Sequence, residues 1–421
     1  RLDLSELGVS SAQQALGTRQ VRPGNPVYLR INDPDQGKTD AIDEIAVSIE
    51  TSNGDLIPRL ILKETGPYTG EFEATIPWNK TNVTRLARFL GLVARQEGLL
   101  PLHRTGVARA VEHAAWDAAD QRRLSTRVAE LIDLVAESDY RARQAGHLSI
   151  TDKDVDAALS GRRRRHSGDV DEVMRVIREG ALLVSTTGKV VGQINGTAVY
   201  DSGDHAFGVP VRITARTWVG KAGVVNIDRE VELSGQIHDK GTLIMIGLLG
   251  DRYAQTRPLT VSATITFEQS YELVEGDSAS CAELFVILSC LSGLPINQGI
   301  AVTGSVNQQG EVQPVGGVSQ KVEGMYRVCK MRGLTGKQGI MIPRRNVHNL
   351  MLDQEVVAAI EAEQFHVWAI AHVDEGIEIL TGVPAGRRLR DGTWEPGSVN
   401  ALADQRLATM LENLKQQKLE S

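Results

Sequence analysis

Alternation of apolar and polar residues dominates the first 80 residues of the chain. The segments IAVSIETS, LIPRLILKET and GEFEATIPW alternate in this way, and NGD and ETGPYTG between them supply the glycine, proline and asparagine that turns favour. Successive side chains of a strand point to opposite faces, so this period of two indicates strands with one buried face. The pattern predicts a small antiparallel β module over residues 1–80.

From residue 81 the apolar positions recur three and four apart. The segments TRLARFLGLVARQEG, TGVARAVEHAAWDAADQ, TRVAELIDLVAESDYRARQAG and TDKDVDAALSG share this spacing, and each runs into glycine or a polar break. They predict a four-helix bundle over residues 81–160. A basic run follows in SGRRRRHSG, between two glycines. We interpret it as a solvated linker opening residues 161–180, with one further helix near Val170 to Ile177.

The third region mixes strands and helices. Leu182 to Phe267 is β-rich, with glycine breaks in GQINGTAV and VGKAGVV, and helical and strand patterns then alternate to about Thr381. This predicts an α/β domain over residues 181–385, with a sheet covered by helices. Residues 386–421 look like a polar tail in which Asn400 to Leu419 could form a last helix. The whole chain is therefore predicted to be multidomain α+β.

Composition narrows the classes of function. The chain has 421 residues, 41% hydrophobic and 24% charged, which is ordinary for a soluble protein, and no apolar run approaches the roughly 18 residues of a membrane span. A net charge of -7 argues against a general nucleic-acid binder. The first 17 residues have neither the basic start nor the apolar core of a signal peptide, and a mature exported chain would look the same. We expect a cytoplasmic protein without a membrane or specific nucleic-acid partner.

The cysteines are sparse. Three are present, without a C-x-x-C pair, and they lie in apolar helical sequence: Cys281, Cys290 and Cys329. This usage is typical of small core residues in a reducing compartment and argues against a disulfide framework or a metal site.

A phosphate-binding loop is not supported. The only GKT, Gly37 to Thr39, lacks the glycine that such a loop requires five residues earlier, where Asn32 stands. We interpret this segment as an exposed turn.

The stretch VEGDSASCAEL places Ser278 directly before an apolar helical run. Serine is common as a helix N-cap, since its hydroxyl can satisfy an orphan backbone N–H. The same place, with free N–H groups and the positive end of the helix dipole, also suits a nucleophile whose oxyanion needs stabilisation. The local sequence leaves both interpretations open.

A serine nucleophile needs a base. No G-x-S-x-G motif accompanies the histidines, and the better candidate is Lys321, in PVGGVSQKVEGMYRVCKMRG. The pattern places this lysine just inside a helix that is entered through Gly316 and Gly317. Burial and the helix N-terminus would lower the pKa of Lys321 and leave a neutral amine as base. Composition alone favours a surface lysine.

Longer segments carry a family resemblance. The motif EGDSAS with Ser278, AVTGSVNQQGEVQPVGGVSQKVEG with Lys321, and the segments GQINGTAV, GLTGKQGIMIPRRNV and DEGIEILTGVPAG resemble the C-terminal part of Lon-type proteases, close to the bacterial LonB-like group. The helical segment resembles the small lid of a ring ATPase (AAA+). The phrase LKETGPYTGEFEATIP is similar to strand repeats of bacterial immunoglobulin-like modules, which implies a β-sandwich-like form for residues 1–80.

The Lon resemblance implies roles for individual residues. Ser278 is the implied nucleophile, Lys321 the base that later protonates the leaving amine, and Thr303 the hydroxyl that orients the lysine. Glu275 and Asp277 match acidic positions beside the nucleophile, which implies hydrogen bonding within the catalytic site, and a solvated or capping role is equally open. Arg127, in RLSTR, matches an arginine that senses nucleotide, and pairing with a helix acid is the alternative.

The resemblance also implies partners. It predicts peptide-bond hydrolysis of unfolded or damaged polypeptides within a hexameric ring of identical subunits. The ATPase core that precedes the lid in the family, with its phosphate loop, is not found in this sequence. The chemistry requires no cofactor, and we expect ATP and magnesium to matter only if a separate ATPase core or partner supplies the site. The rival hypotheses are an inactive ring-forming scaffold and a binding module.

Overall fold

The computed structural model describes residues 30–32, 44–50, 56–64, 71–165, 167–201 and 206–420. Two compact units are present: residues up to 171 together with 348–351, and residues 172–347 together with 352–421. The GKT turn at Gly37 to Thr39 lies outside the described residues. Among the helices of the described ranges, none combines the length and apolar character needed to cross a bilayer.

Strands open the first unit where the alternating pattern predicts them. They are β1 (Arg30–Asn32), β2 (Glu44–Glu50), β3 (Leu56–Glu64) and β4 (Glu71–Pro77), and a short β5 (Arg123–Ser125) joins them from the helical region. Their order is β1-β4-β3-β2, with β5 beside β4, and all pairings are antiparallel. The immunoglobulin-like form stays a prediction.

The bundle of the first unit has the four predicted helices. They are α1 (Lys80–Gln96), α2 (Arg104–Asp117), α3 (Val128–Gln144) and α4 (Asp152–Arg165). Their apolar stripes meet in one core that includes the fully buried Leu90, Ala114, Leu134 and Val155. Burial of these stripes, rather than the propensity of any single helix, is what stabilises such a bundle.

The interpretation of the arginine run as a linker is wrong. Helix α4 continues to Arg165, and Arg162 and Arg165 each donate to Glu137 of α3 at 2.8 Å. Burial raises the pKa of Glu137, but the two guanidinium groups outweigh it and lower that pKa overall. Positive charge is also favourable in the last turn of a helix because of the macrodipole. The predicted helix that follows is α5 (Gly168–Glu179).

The second unit is a mixed sheet with helices. Its strands are β6 (Lys189–Val190), β7 (Gln193–Asp201), β8 (Ala206–Trp218), β9 (Gly223–Asn226), β10 (Ser262–Phe267), β11 (Ile296–Asn297), β12 (Ile300–Val302), β13 (Ser305–Val306), β14 (Val312–Gln313), β15 (Gln338–Pro343) and β16 (Phe365–Ile370). Its helices are α6 (Ile227–Glu230), α7 (Gln236–Tyr253), α8 (Ser280–Ser292), α9 (Val318–Arg332), α10 (Gln354–Glu361), α11 (Val373–Thr381) and α12 (Val399–Glu420).

The main sheet has seven strands in the order β16-β15-β12-β7-β8-β10-β9. The run from β7 to β16 is parallel, whereas β8 is antiparallel to both of its neighbours. Two short antiparallel pairs, β11 with β6 and β13 with β14, lie apart from it. The α/β class that the sequence predicts is thus present as a mixed sheet covered by helices.

Helix α8 forms the centre of the core. Every residue from Cys281 to Ser289 is buried, so the helix is enclosed on all sides, as its continuous apolar sequence indicates. The last helix, α12, packs against it. The C-terminal segment is therefore more than a polar tail, because Val399, Ala403, Leu407 and Met410 are buried in the same core.

The cysteines are free thiols, as predicted. Cys281 and Cys329 are buried and Cys290 is partly buried. Burial raises the pKa of Cys329 to about 12 and that of Cys290 to about 11, so these thiols stay protonated at neutral pH.

Candidate active site

Ser278 lies in a tight turn just before α8. Gly276 has a φ of +86°, a left-handed conformation that glycine adopts without strain, and it turns the chain into the helix. The helix begins two residues after Ser278, at Ser280, and its N-cap is Ala279, which makes no side-chain cap. Ser278 is therefore outside the first helical turn, and its hydroxyl does not cap the helix.

Backbone contacts hold the serine turn against the chain that follows β12. The N–H of Gly304 donates to the carbonyl of Ser278 at 2.8 Å, and the N–H of Cys281 donates to the carbonyl of Gly304 at 3.1 Å. Thr303 is tied in turn to the sheet, because its N–H donates to Met341 of β15 at 3.0 Å. The backbone of Ser278 is therefore held in a fixed position relative to the main sheet, through the Thr303–Gly304 segment.

Lys321 lies in the first turn of α9, as the sequence predicts. Gly317, with a φ of +63°, is the N-cap of this helix, and Lys321 donates its backbone N–H to Gly317 at 3.0 Å. The side chain is 4% exposed, so the surface interpretation of Lys321 is wrong.

Glycines let α9 lie directly on β8. A Cβ at Gly208 of β8 would lie 2.1 Å from the carbonyl oxygen of Gln320 and 2.7 Å from Cα of Lys321. A Cβ at Gly324 of α9 would lie 2.1 Å from the carbonyl oxygen of Gly208. No residue with a side chain fits at either position without moving backbone. The sequence does not indicate that Gly208 determines how closely α9, and with it Lys321, packs on the sheet.

The two segments meet at three side chains. Nζ of Lys321 lies 2.9 Å from Oγ of Ser278 and 3.2 Å from Oγ1 of Thr303. The Thr303 hydroxyl is also 3.4 Å from the Ser278 carbonyl oxygen, and Thr303 is 1% exposed. The structure thus brings together all three residues to which the resemblance gives direct roles in the chemistry.

The two neighbouring acids make other contacts. Oδ2 of Asp277 accepts from the Ser305 hydroxyl of β13 at 2.6 Å, and the Asp277 carbonyl accepts from the N–H of Ser280 at 3.1 Å. The carboxylate of Glu275 lies against Gly235, the N-cap of α7, where a Cβ would be 1.2 Å from Oε2. Glu275 is exposed, which fits a solvated role, whereas the bond of Asp277 to Ser305 is neither solvation nor a helix cap.

Two backbone N–H groups at the serine turn are available as donors. Within the described part of the chain, the N–H groups of Ser278 and Ala279 have no hydrogen-bond acceptor. They stand at the N-terminal end of α8, where the peptide dipoles of the helix leave partial positive charge.

Arg127 belongs to the bundle. Its guanidinium lies 3.4 Å from the carboxylate of Asp117 at the end of α2, and Arg127 is the N-cap residue of α3. This is the pairing with a helix acid that the sequence leaves open beside the nucleotide-sensing role.

Comparisons with known families match the helical bundle and the domain that contains Ser278 and Lys321. Residues 101–165 match "Archaeal LonB, AAA+ ATPase LID domain", and residues 273–381 match "Lon protease (S16) C-terminal proteolytic domain". Residues 273–381 thus match a Lon-type proteolytic domain. The second match spans Ser278, Thr303 and Lys321, so the Lon proteolytic domain contains the whole contact.

Individual proteins described as Lon proteases or their homologs are also similar in sequence to this chain. A "Putative Lon protease homolog" of Escherichia coli is 44% identical over 48% of this chain and 35% of the relative. A protein of the same description from Haemophilus influenzae is 38% identical over 53% of this chain and 38% of the relative. An "Archaeal Lon protease" of Archaeoglobus fulgidus is 26% identical over 72% of this chain and 46% of the relative. The chain thus spans from about a third to about half the length of these relatives.

Proposed function

We propose that this chain is a serine endopeptidase in which Ser278 and Lys321 form a catalytic dyad. The distance of 2.9 Å between the serine oxygen and the lysine nitrogen carries the proposal, since a base must lie within hydrogen-bond reach of the proton that it removes. The match to a Lon-type proteolytic domain supplies the reaction class, the hydrolysis of peptide bonds.

In the first step, the neutral amine of Lys321 removes the proton of the Ser278 hydroxyl as Oγ attacks the peptide carbonyl. Burial disfavours the charged form of an amine, so the enclosed position of Lys321 favours the neutral base. The Thr303 hydroxyl fixes the direction of the amine, because it contacts both Nζ and the Ser278 carbonyl.

The negative oxygen of the tetrahedral intermediate needs donors. The N–H groups of Ser278 and Ala279 are suited to this role, since they lie at a helix N-terminus and hold their direction before the reaction begins. The protonated Lys321 then gives its proton to the leaving amine, and the acyl group stays on Ser278. Water, deprotonated by the same lysine, releases the acid and restores the serine.

The substrate class follows from the family. We place unfolded or damaged polypeptides in this site, within a ring of identical subunits in the cytoplasm. The dyad itself uses no cofactor or metal. Coupling to ATP and magnesium would need a separate ATPase core or partner.

An inactive ring-forming scaffold is the alternative. A scaffold has no need of a serine in contact with a buried lysine, because burying an amine is costly unless the amine has partners. The contact of Lys321 with both Ser278 and Thr303 therefore favours the peptidase.

The test compares the cleavage of unfolded casein by the wild-type chain and by Ser278→Ala. We expect the rate of Ser278→Ala to fall to background. Lys321→Arg is the companion variant, because it keeps the positive charge but has no neutral form to act as a base, and we expect a loss of about 10²- to 10⁴-fold.

Ser292→Ala is the matched control. Ser292 lies at the far end of the same helix, where its hydroxyl bonds to the Leu288 carbonyl. The control should cleave at the wild-type rate. Equal cleavage by Ser278→Ala and wild type would refute the proposal. A second readout is a serine-reactive fluorophosphonate, which should label the wild type and Ser292→Ala but not Ser278→Ala.

A further inference from the structure

One face of α7 follows the nucleophile loop, Val274 to Asp277, along its length. Before the helix, the N–H of Gly235 donates to the Val274 carbonyl at 2.9 Å. A Cβ at Gly241 would lie 2.9 Å from Cβ of Asp277. Gly235, His238 and Gly241 are three residues apart, so they share one side of the helix.

His238 is the member of this face with a polar side chain. It is 1% exposed, and its Nδ1 lies 3.2 Å from the carbonyl oxygen of Gly276. A carbonyl can only accept, so Nδ1 carries a proton and donates it. This bond fixes the peptide group between Gly276 and Asp277, one residue before the serine.

The other side of the imidazole is held by Glu283. This fully buried carboxylate of α8 has Oε1 at 3.4 Å from Nε2 of His238 and at 3.0 Å from Nδ2 of Asn226, which donates to it. Nδ2 of Asn226 also lies 3.0 Å from Nε2, so an amide and a carboxylate both face that nitrogen. The ring edge also packs on Phe267, with centroids 5.4 Å apart. The imidazole therefore has one orientation.

We propose that His238 is a positioning residue of the peptidase: its Nδ1–H holds the Gly276 carbonyl and so aims Ser278 at Lys321. This inference rests on the proposed function. His238 is buried behind the loop and would not touch a substrate. Its loss should lower kcat and leave KM nearly unchanged, because reaction rates are sensitive to displacements of about 1 Å.

The experiment compares His238→Asn with His238→Leu. In asparagine, Nδ2 is bonded to Cγ as Nδ1 is in histidine, so an N–H donor remains near Gly276. Leucine fills a similar volume without a donor. Both variants leave Glu283 without its imidazole, so the pair differs mainly in the bond to the Gly276 carbonyl.

We expect His238→Asn to keep kcat within about three-fold of the wild type, and His238→Leu to lose at least about ten-fold with KM changed by less than two-fold, as the loss of one positioning hydrogen bond implies. Labelling of Ser278 by the fluorophosphonate should slow in the same order. Met245→Ala is the control for a general loss of packing, since Met245 is fully buried on α7 two turns further along. It should lower the thermal unfolding midpoint and keep kcat.

Equal kcat for the leucine and asparagine variants would overturn the inference. If either variant does not fold, the same pair is made with Glu283→Gln, which removes the unpaired buried charge, and the comparison is decided there. A wild type that neither cleaves nor takes the label would refute the proposed function instead, so the two failures are distinguishable.

Discussion

Ser278 and Lys321 reach the same point by different structural means. The serine stands on an irregular loop whose backbone is held by hydrogen bonds from Gly304 and from His238. The lysine stands on a regular helix whose height is set by backbone contact with β8 at Gly208 and Gly324. Hydrogen bonds hold one partner, whereas steric contact holds the other. The two halves of the site should therefore fail in different ways.

The largest effect on the peptidase rate should come from disturbing the close contact between α9 and β8 that positions Lys321. Gly208→Ala puts a methyl group where the Gln320 carbonyl and Cα of Lys321 lie, so α9 must move outwards. A shift of about 1 Å costs on the order of 100-fold in rate, and overpacking lowers the free energy of unfolding by about 1 to 3 kcal/mol. Peptidase rate and denaturant unfolding measure the two effects.

Gly250→Ala is the control for that variant. Gly250 lies within α7, and an added Cβ would meet no atom within 4 Å. Alanine is the better helix former there by roughly 0.5 to 1 kcal/mol, so this variant should be slightly more stable and fully active. Full activity of Gly208→Ala would show that steric contact with β8 does not set the position of Lys321.

The stability that His238 contributes behind the serine loop should depend on pH. Burial lowers the pKa of His238, but the charge and hydrogen bond of Glu283, the Gly276 carbonyl and the charge of Asp228 outweigh it and raise that pKa to about 9. Because the folded pKa is the higher one, the stabilisation is complete below about pH 6.5 and is lost as the pH rises to about 9. Its size is on the order of 3 kcal/mol.

The measurement is the free energy of unfolding of the wild type minus that of His238→Asn between pH 6 and 9.5. The subtraction removes most contributions from other titrating groups. We expect the difference to shrink steadily above pH 6.5. A difference that is constant or grows with pH would contradict a charged His238 paired with Glu283.

The smallest effect on the peptidase rate should come from the Thr303 hydroxyl, which contacts both Lys321 and the serine loop. Thr303→Val keeps the shape of the side chain but removes the contacts with Nζ of Lys321 and with the Ser278 carbonyl. We expect about a ten-fold fall in kcat, equivalent to about 1.4 kcal/mol for the two lost polar contacts together. Steady-state kinetics test this, with Thr303→Ser as the control that keeps the hydroxyl. Equal loss in both variants would point to packing.

Much of the local structure could be predicted from the sequence. The spacing of apolar residues predicts the bundle helices and the strands β2 to β4, and the glycine pair before Lys321 predicts the start of α9. The resemblance predicts the three residues of the site. The arginine run shows the limit, because its flanking glycines suggest a linker, whereas ion pairs with Glu137 on another helix extend α4 through it.

What the sequence by itself determined is the periodicity of each segment and the chemical identity of Ser278, Thr303 and Lys321. What only the tertiary structure decided is where those groups point. The same serine could cap a helix or attack a carbonyl, and the same lysine could lie on the surface or in a core. The choice depends on contacts between segments far apart in the chain, such as Gly208 on Gln320 and His238 on Gly276. Local propensity carries no information about such contacts, because they form only when the sheet and its helices pack together.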